Sequence, residues 1–204
     1  MSEARLKPAL TYALIAANVA MFAVELARGA DVLSPRLEPL VELGAIFPPF
    51  VREQHAYWRI PASMFLHLGA LHLGLNMLCL YQARIVEAIY GHFRFAVIYL
   101  AAGLAGGFAA LWFGPANVVT VGASGAVFGV YGAFGAFLLI RRAMIPREVW
   151  QPLARSLGSF LALNLIIGFA VPGISLTSHV GGVIAGAALS ALMLVAKRVP
   201  PPTA

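Results

Sequence analysis

Apolar windows bounded by charges or by Pro and Gly succeed one another at about 9–27, 62–83, 93–113, 122–140, 153–171 and 175–196. Each approaches the roughly 20 residues a helix needs to cross a bilayer, and none is long enough to hide a seventh span. The first is longer than a signal-peptide core and no small-x-small cleavage site follows it, so it reads as a retained span. The longest connection, 28–59, is mixed rather than polar: Leu33, Leu37, Leu40, Ile46, Phe47, Phe50 and Trp58 stand among Arg and Glu. Such a segment lies in the membrane interface with its apolar side chains at headgroup level. The linkers 114–120 and Pro172-Gly173 are short and uncharged, and only the tail 200–202 is Pro-rich. The pattern predicts an all-α, polytopic membrane protein, a six-helix bundle forming one domain over 1–204 with no further domain on either side.

Composition agrees. The chain is 61% apolar and 11% charged, against about a quarter charged in soluble domains. Its formal charge of +6 would suggest nucleic acid only if the cations formed a patch, and they fall in small clusters between apolar runs. Those clusters set orientation. With the N-terminus inside, the inner segments hold Arg5, Lys7, Arg84, Arg94, Arg141, Arg142, Arg147, Arg155, Lys197 and Arg198. The outer ones hold Arg28, Arg36, Arg52 and Arg59, so both termini are assigned to the cytoplasm by ten to four. Cys79 is the single cysteine, which excludes an intrachain disulfide and a thiolate metal cluster.

Polar side chains at membrane depth are rare and usually functional. Here they are His67, His72, Asn76, Ser124 and His179, with Asn18 and Asn164 read as interhelical hydrogen-bond formers. Ser124 lies 17 residues before Arg141, and His179 lies 18 before Lys197. At a rise of about 1.5 Å per residue both sit roughly 26 Å above the inner boundary, just beneath the outer surface. His72, 12 residues before Arg84, falls in the same outer half. Gly125 and Gly129 follow Ser124, and Gly182 and Gly186 follow His179. Small residues at that spacing let helix backbones approach closely in lipid.

Close approach is what a serine–histidine pair needs. A hydroxyl is a poor nucleophile until a base within about 2.6–3.2 Å takes its proton. The acids in or near the spans, Glu25 and Glu87, stand at span ends, so a dyad rather than a triad is expected. His72 and Asn76, four apart on one helix face, are donors suited to a developing oxyanion. His67, five before His72, points about 140° away on a continuous helix. Each signal has an ordinary counterpart: Gly-x-Ser-Gly is common in apolar segments, buried histidines often only pack, and G-x-x-x-G is usually packing. Their coincidence at one depth points to chemistry.

These residues resemble the rhomboid family of intramembrane serine proteases over roughly 8–196, in its minimal bacterial-type six-span form. Trp58-Arg59 followed by His67, His72 and Asn76 is similar to the family's second-span pattern. Glu87 and Gly91, then Phe95 and Tyr99, resemble its turn into the third span. Gly122-Ala123-Ser124-Gly125-Ala126 matches its nucleophile motif and Ser178-His179-Val180-Gly181-Gly182 its histidine motif. The resemblance implies Ser124 as nucleophile and His179 as general base. It implies an oxyanion hole of His72, Asn76 and the Ser124 N–H, with Arg59 and Glu87 as structural network residues. His67, Gly122, Gly125 and Phe128 would support the site. It implies single-span membrane proteins as substrates, cut near the outer end of the span, with small residues before the cut and no metal or organic cofactor. Phe128 stands where several members have Tyr, and Tyr81-Gln82-Ala83-Arg84 lacks the Gly often found before Glu87.

Two other functions compete. A catalytically silent rhomboid-like protein that binds membrane helices would lack the serine or the histidine, and both are present. A transporter would carry polar groups or broken helices at the midplane, whereas here they gather in the outer half. The short loops suit a bacterial inner membrane. Substrate and oligomeric state are not written in the sequence.

Overall fold

The computed structural model describes residues 7–33, 36–170 and 174–196. Arg5, Lys197 and Arg198 of the orientation count, the Pro172-Gly173 linker and the tail 200–202 lie outside the described residues.

Those residues form helices α1 (Ala9–Ala27), α2 (Leu37–Leu43), α3 (Pro48–Glu53), α4 (Arg59–Ser63), α5 (Gly69–Gln82), α6 (Arg84–Phe113), α7 (Ser124–Ile140), α8 (Arg147–Ala170) and α9 (Leu176–Ala196). Among them α1, α6 and α9 are long and apolar enough to cross a membrane, and α7 is a shorter apolar helix. Helix α8 carries Arg147, Glu148 and Arg155 in its first half.

The window 62–83 is not one helix. Residues 64–68 leave helical geometry after α4, and α5 opens at Gly69 with φ +81°. Hydropathy could not see this break, because Met64, Phe65, Leu66 and Leu68 keep the window apolar. In α6 the turn and the third apolar window form two helical pieces that meet at a kink at Gly91 (φ 75°, ψ 163°).

Helix α7 packs chiefly against α9 and α6, and these three form the centre. The two glycine ladders face each other there. A Cβ on Gly182 would run into the Gly125 carbonyl, and one on Gly186 into that of Gly129. Backbone therefore lies on backbone, as the small-residue spacing requires. Ser190, fully buried on α9, ties all three helices: it donates to the Ala133 carbonyl at 3.0 Å and meets the Tyr90 hydroxyl at 2.5 Å.

The connection 28–59, expected at the interface, contains α2 and α3. Arg59 bonds the carbonyls of Val41 (2.5 Å) and Ala45 (3.1 Å), with its guanidinium 5.0 Å from the Phe50 ring and 4.9 Å from the Trp58 ring. Arg52 donates to the Leu111 carbonyl. Ile46 and Thr120 exchange backbone hydrogen bonds of 3.0 and 2.9 Å, joining this connection to the linker before α7.

Glu87, fully buried at the start of α6, serves α1. Its carboxylate accepts the N–H groups of Leu10 (2.9 Å) and Thr11 (2.8 Å) and the Thr11 hydroxyl (2.5 Å), and it contacts His92 Nδ1 at 2.5 Å. A helix start leaves such N–H groups without partners, and Pro8 before α1 supplies no side-chain cap. A carboxylate from another helix takes that place, with the dipole in its favour.

Candidate active site

The site forms where the first residues of α7 and α9 meet the α4–α5 segment. Ser124 is the first residue of α7 and His179 lies in the opening turn of α9. His179 Nε2 lies 2.9 Å from Ser124 Oγ. This spans 55 residues of sequence and rests on the glycine seam, which brings the two helix starts together. The remaining ring nitrogen, Nδ1, is buried and has no hydrogen-bond partner among the described residues. No carboxylate completes a triad among them.

The imidazole is held by packing instead. Phe128, one turn after Ser124, stacks on the His179 ring with centroids 4.1 Å apart and planes 8° from parallel. Phe128 in turn packs against Phe160 of α8 at 5.6 Å. An aromatic face fixes the ring's plane without needing a hydroxyl.

Gly122 sets the approach to Ser124. Its φ is +123°, which L side chains rarely adopt, and a Cβ there would press on the His72 imidazole at 2.8 and 3.1 Å. The same point lies 3.7 Å from Ser124 Oγ, so His72 flanks the serine across a gap only glycine leaves open. His72 Nδ1 accepts the Leu68 N–H at 3.2 Å, which leaves Nε2 as the protonated, donating nitrogen. Asn76 lies one turn on, buried, with Nδ2 donating to the His72 carbonyl at 2.9 Å. That amide nitrogen keeps a second hydrogen for another acceptor. As the first helical residue, Ser124 also presents a backbone N–H with no partner in its own helix.

His67 departs from the helical-wheel expectation. It precedes the start of α5, and its ring centroid lies 5.3 Å from that of His72. The break at residues 64–68 brings it to a neighbour it would have faced away from. What fixes that break is Glu25, fully buried near the end of α1, whose carboxylate takes the His67 N–H at 3.1 and 3.3 Å. Sequence reasoning left Glu25 aside because it stood at a span end. Its usable signal is an acid at the end of an apolar run. Gly125 sits against Ser178, whose Oγ a Cβ there would meet at 2.7 Å. Arg59 and Glu87 do not reach the serine, and they hold the connection and α1 as described above.

Asn18 and Asn164 each donate Nδ2 to a carbonyl of their own helix, Leu14 at 2.7 Å and Phe160 at 2.9 Å. The Asn18 side chain also meets that of Tyr99 on α6, whereas for Asn164 no bond across helices occurs among the described residues. The carbonyl four residues back is the nearest acceptor, and in lipid it is the one always within reach.

Beside the His179 ring, a cavity of about 240 Å³ opens between α8 and α9, walled by Phe128, Leu161, Leu176, Val180, Val183 and Ile184. No group of three or more His, Cys, Asp or Glu side chains able to hold a metal occurs among the described residues.

A family model described as "Rhomboid domain" matches residues 54–196. The chain is 36% identical over 181 residues to Rhomboid protease GluP of Bacillus subtilis (strain 168), covering 88% of this chain and 34% of that protein. It is 34% identical over 165 residues to RHOMBOID-like protein 2 of Arabidopsis thaliana, covering 80% and 51%. With Putative rhomboid protease YdcA of Bacillus subtilis (strain 168) it shares 30% over 143 residues, covering 70% of each. The chain thus spans a third to a half of the first two of these relatives.

Proposed function

This chain belongs to the rhomboid family, and from that premise we propose that it is an intramembrane serine endopeptidase working through a Ser124–His179 dyad. Its substrates are single-span membrane proteins, cut near the outer end of their transmembrane segment. The observation that carries this reading is the 2.9 Å approach of His179 Nε2 to Ser124 Oγ, within the reach of a general base.

In the reaction, Ser124 Oγ attacks the scissile carbonyl carbon while His179 Nε2 takes the hydroxyl proton. The carbonyl oxygen becomes an oxyanion, met by the Ser124 N–H, the His72 imidazole and the Asn76 amide. Collapse breaks the C–N bond, and His179 passes its proton to the leaving amine. Water then attacks the acyl ester, again through His179, and releases the new carboxylate and Ser124. Phe128, His67, Gly122 and Gly125 hold the reacting groups in place.

The proposed membrane arrangement has six spans, α1, α5, α6, α7, α8 and α9, with both termini in the cytoplasm. Residues 1–204 then form one membrane domain, with Ser124 just beneath the outer surface of a bacterial inner membrane. Basic residues on the inner segments support that orientation.

The test is purification in detergent or liposomes and incubation with a panel of labelled single-span substrates. Wild type, Ser124→Ala and His179→Ala are run together. Both substitutions are expected to lower cleavage by about 10⁴-fold or more, and cleavage persisting in Ser124→Ala would overturn the mechanism. A folded protein that cleaves no substrate and takes no fluorophosphonate label would instead be a silent binder of membrane helices.

A further inference from the structure

A second cavity lies at the end of α7 away from Ser124. The start of α1, the α5–α6 turn, α7 and α8 converge on it, and it holds about 750 Å³. That is within the roughly 300–1,000 Å³ of ligand pockets. Its lining divides by chemistry. Lys7 and Arg84 supply two cations and Ser156 a hydroxyl, while Phe134, Leu157 and Phe160 contribute apolar wall.

Among the described residues no Asp or Glu lines this cavity. The acid nearest in sequence to Arg84, Glu87, is fully buried and committed to the first turn of α1. Arg84 is aimed locally: one guanidinium nitrogen donates to the Tyr81 carbonyl at 2.9 Å, and the group lies 4.1 Å from the Tyr81 ring. Its other N–H groups remain available to an acceptor. Lys7 is exposed.

A soluble anion would satisfy the cations and leave the aromatic wall wet. A zwitterionic lipid would cover the wall and bring the cations no net charge. One occupant answers both: basic pockets between membrane helices take anionic lipid headgroups. We propose that this cavity binds an anionic glycerophospholipid, its phosphate between Lys7 and Arg84 and its acyl chain along Phe134, Leu157 and Phe160. The lipid fills the space between the α5–α6 turn and α8, a helix that otherwise touches its neighbours sparingly. This site is separate from Ser124 and does not depend on the proposed peptidase chemistry.

The experiment uses the full chain in neutral detergent, given phosphatidylglycerol or phosphatidylcholine with identical acyl chains, and bound lipid is measured by native mass spectrometry. Glycerol phosphate serves as the soluble competitor. Phosphatidylglycerol is expected to bind roughly twentyfold more tightly, and Lys7→Gln and Arg84→Gln to weaken it by about fivefold each. Ser156→Phe, which fills the cavity, is expected to weaken both lipids. Arg84→Gln touches the turn before α6 and can disturb folding, so Lys7→Gln and Ser156→Phe decide the matter. Equal binding of the two lipids overturns the proposal, as does phosphatidylglycerol binding unchanged in those two variants. Displacement by equimolar glycerol phosphate would assign the site to a soluble anion and overturn it as well.

Discussion

Helices α8 and α9 both lie against α7, and they do so by opposite means. At the α7–α9 seam glycine backbones touch, with Gly182 on Gly125 and Gly186 on Gly129. At the α7–α8 face contact is made by side chains: Phe160 stacks on Tyr131 with centroids 4.2 Å apart, and Trp150 Nε1 reaches the Leu138 carbonyl at 2.8 Å. Both cavities also border α8. Backbone contact cannot be adjusted by a rotamer, so it fixes the 2.9 Å separation of Ser124 and His179. Side-chain contact yields locally when one partner moves. Positional accuracy and compliance are thus assigned to different neighbours of one helix.

The sharpest way to break this contrast is Gly182→Val. Added bulk would strike the Gly125 carbonyl, which cannot turn aside, and overpacking of this kind costs about 3 kcal/mol or more. Thermal unfolding in detergent should drop sharply and fluorophosphonate labelling of Ser124 should vanish. Gly135→Ala, on α7 and facing only the Leu157 side chain of α8 at 3.3 Å, should change stability by less than about 1 kcal/mol. Equal losses in the two variants would erase the distinction.

Ser190→Ala tests the seam by subtraction. It leaves the buried Tyr90 hydroxyl and Ala133 carbonyl without their shared partner, a loss of about 1–3 kcal/mol. The same unfolding assay reads it. The smallest effect carries the opposite sign. Gly158 of α8 has open space where a Cβ would go, so Gly158→Ala should stabilise the protein by about 0.5–1 kcal/mol. Destabilisation there would mean that α8 packs as tightly as α9.

Much of this contrast was legible beforehand. Gly125, Gly129, Gly182 and Gly186 announce close approach by spacing alone, and counting residues from Arg141 and Lys197 put Ser124 and His179 at one depth. Periodicity sees contacts along one helix and hydropathy sees length, so both failed where partners are remote. Glu87 reaches Thr11 across 76 residues, and no local pattern encodes a cap supplied by another helix. Helical periodicity misplaces His67 because residues 64–68 leave the helix where an apolar run conceals the turn at Gly69. The small helices α2 and α3 went unseen because each is under eight residues, too short for a period to register.

The paired backbone bonds between Ile46 and Thr120 divide the long connection into two kinetic classes. Thr120 stands four residues before Ser124, so the 46–59 portion cannot lift away without opening this pair and tugging on the serine. Amide deuterium exchange at 46 and 120 should therefore be slow and should speed up together. Residues 28–33 are held elsewhere, through the Ala70 N–H on the Val32 carbonyl (2.9 Å), so their amides should exchange without disturbing Ser124. Alignment of the serine is thereby a property of the second half of the connection.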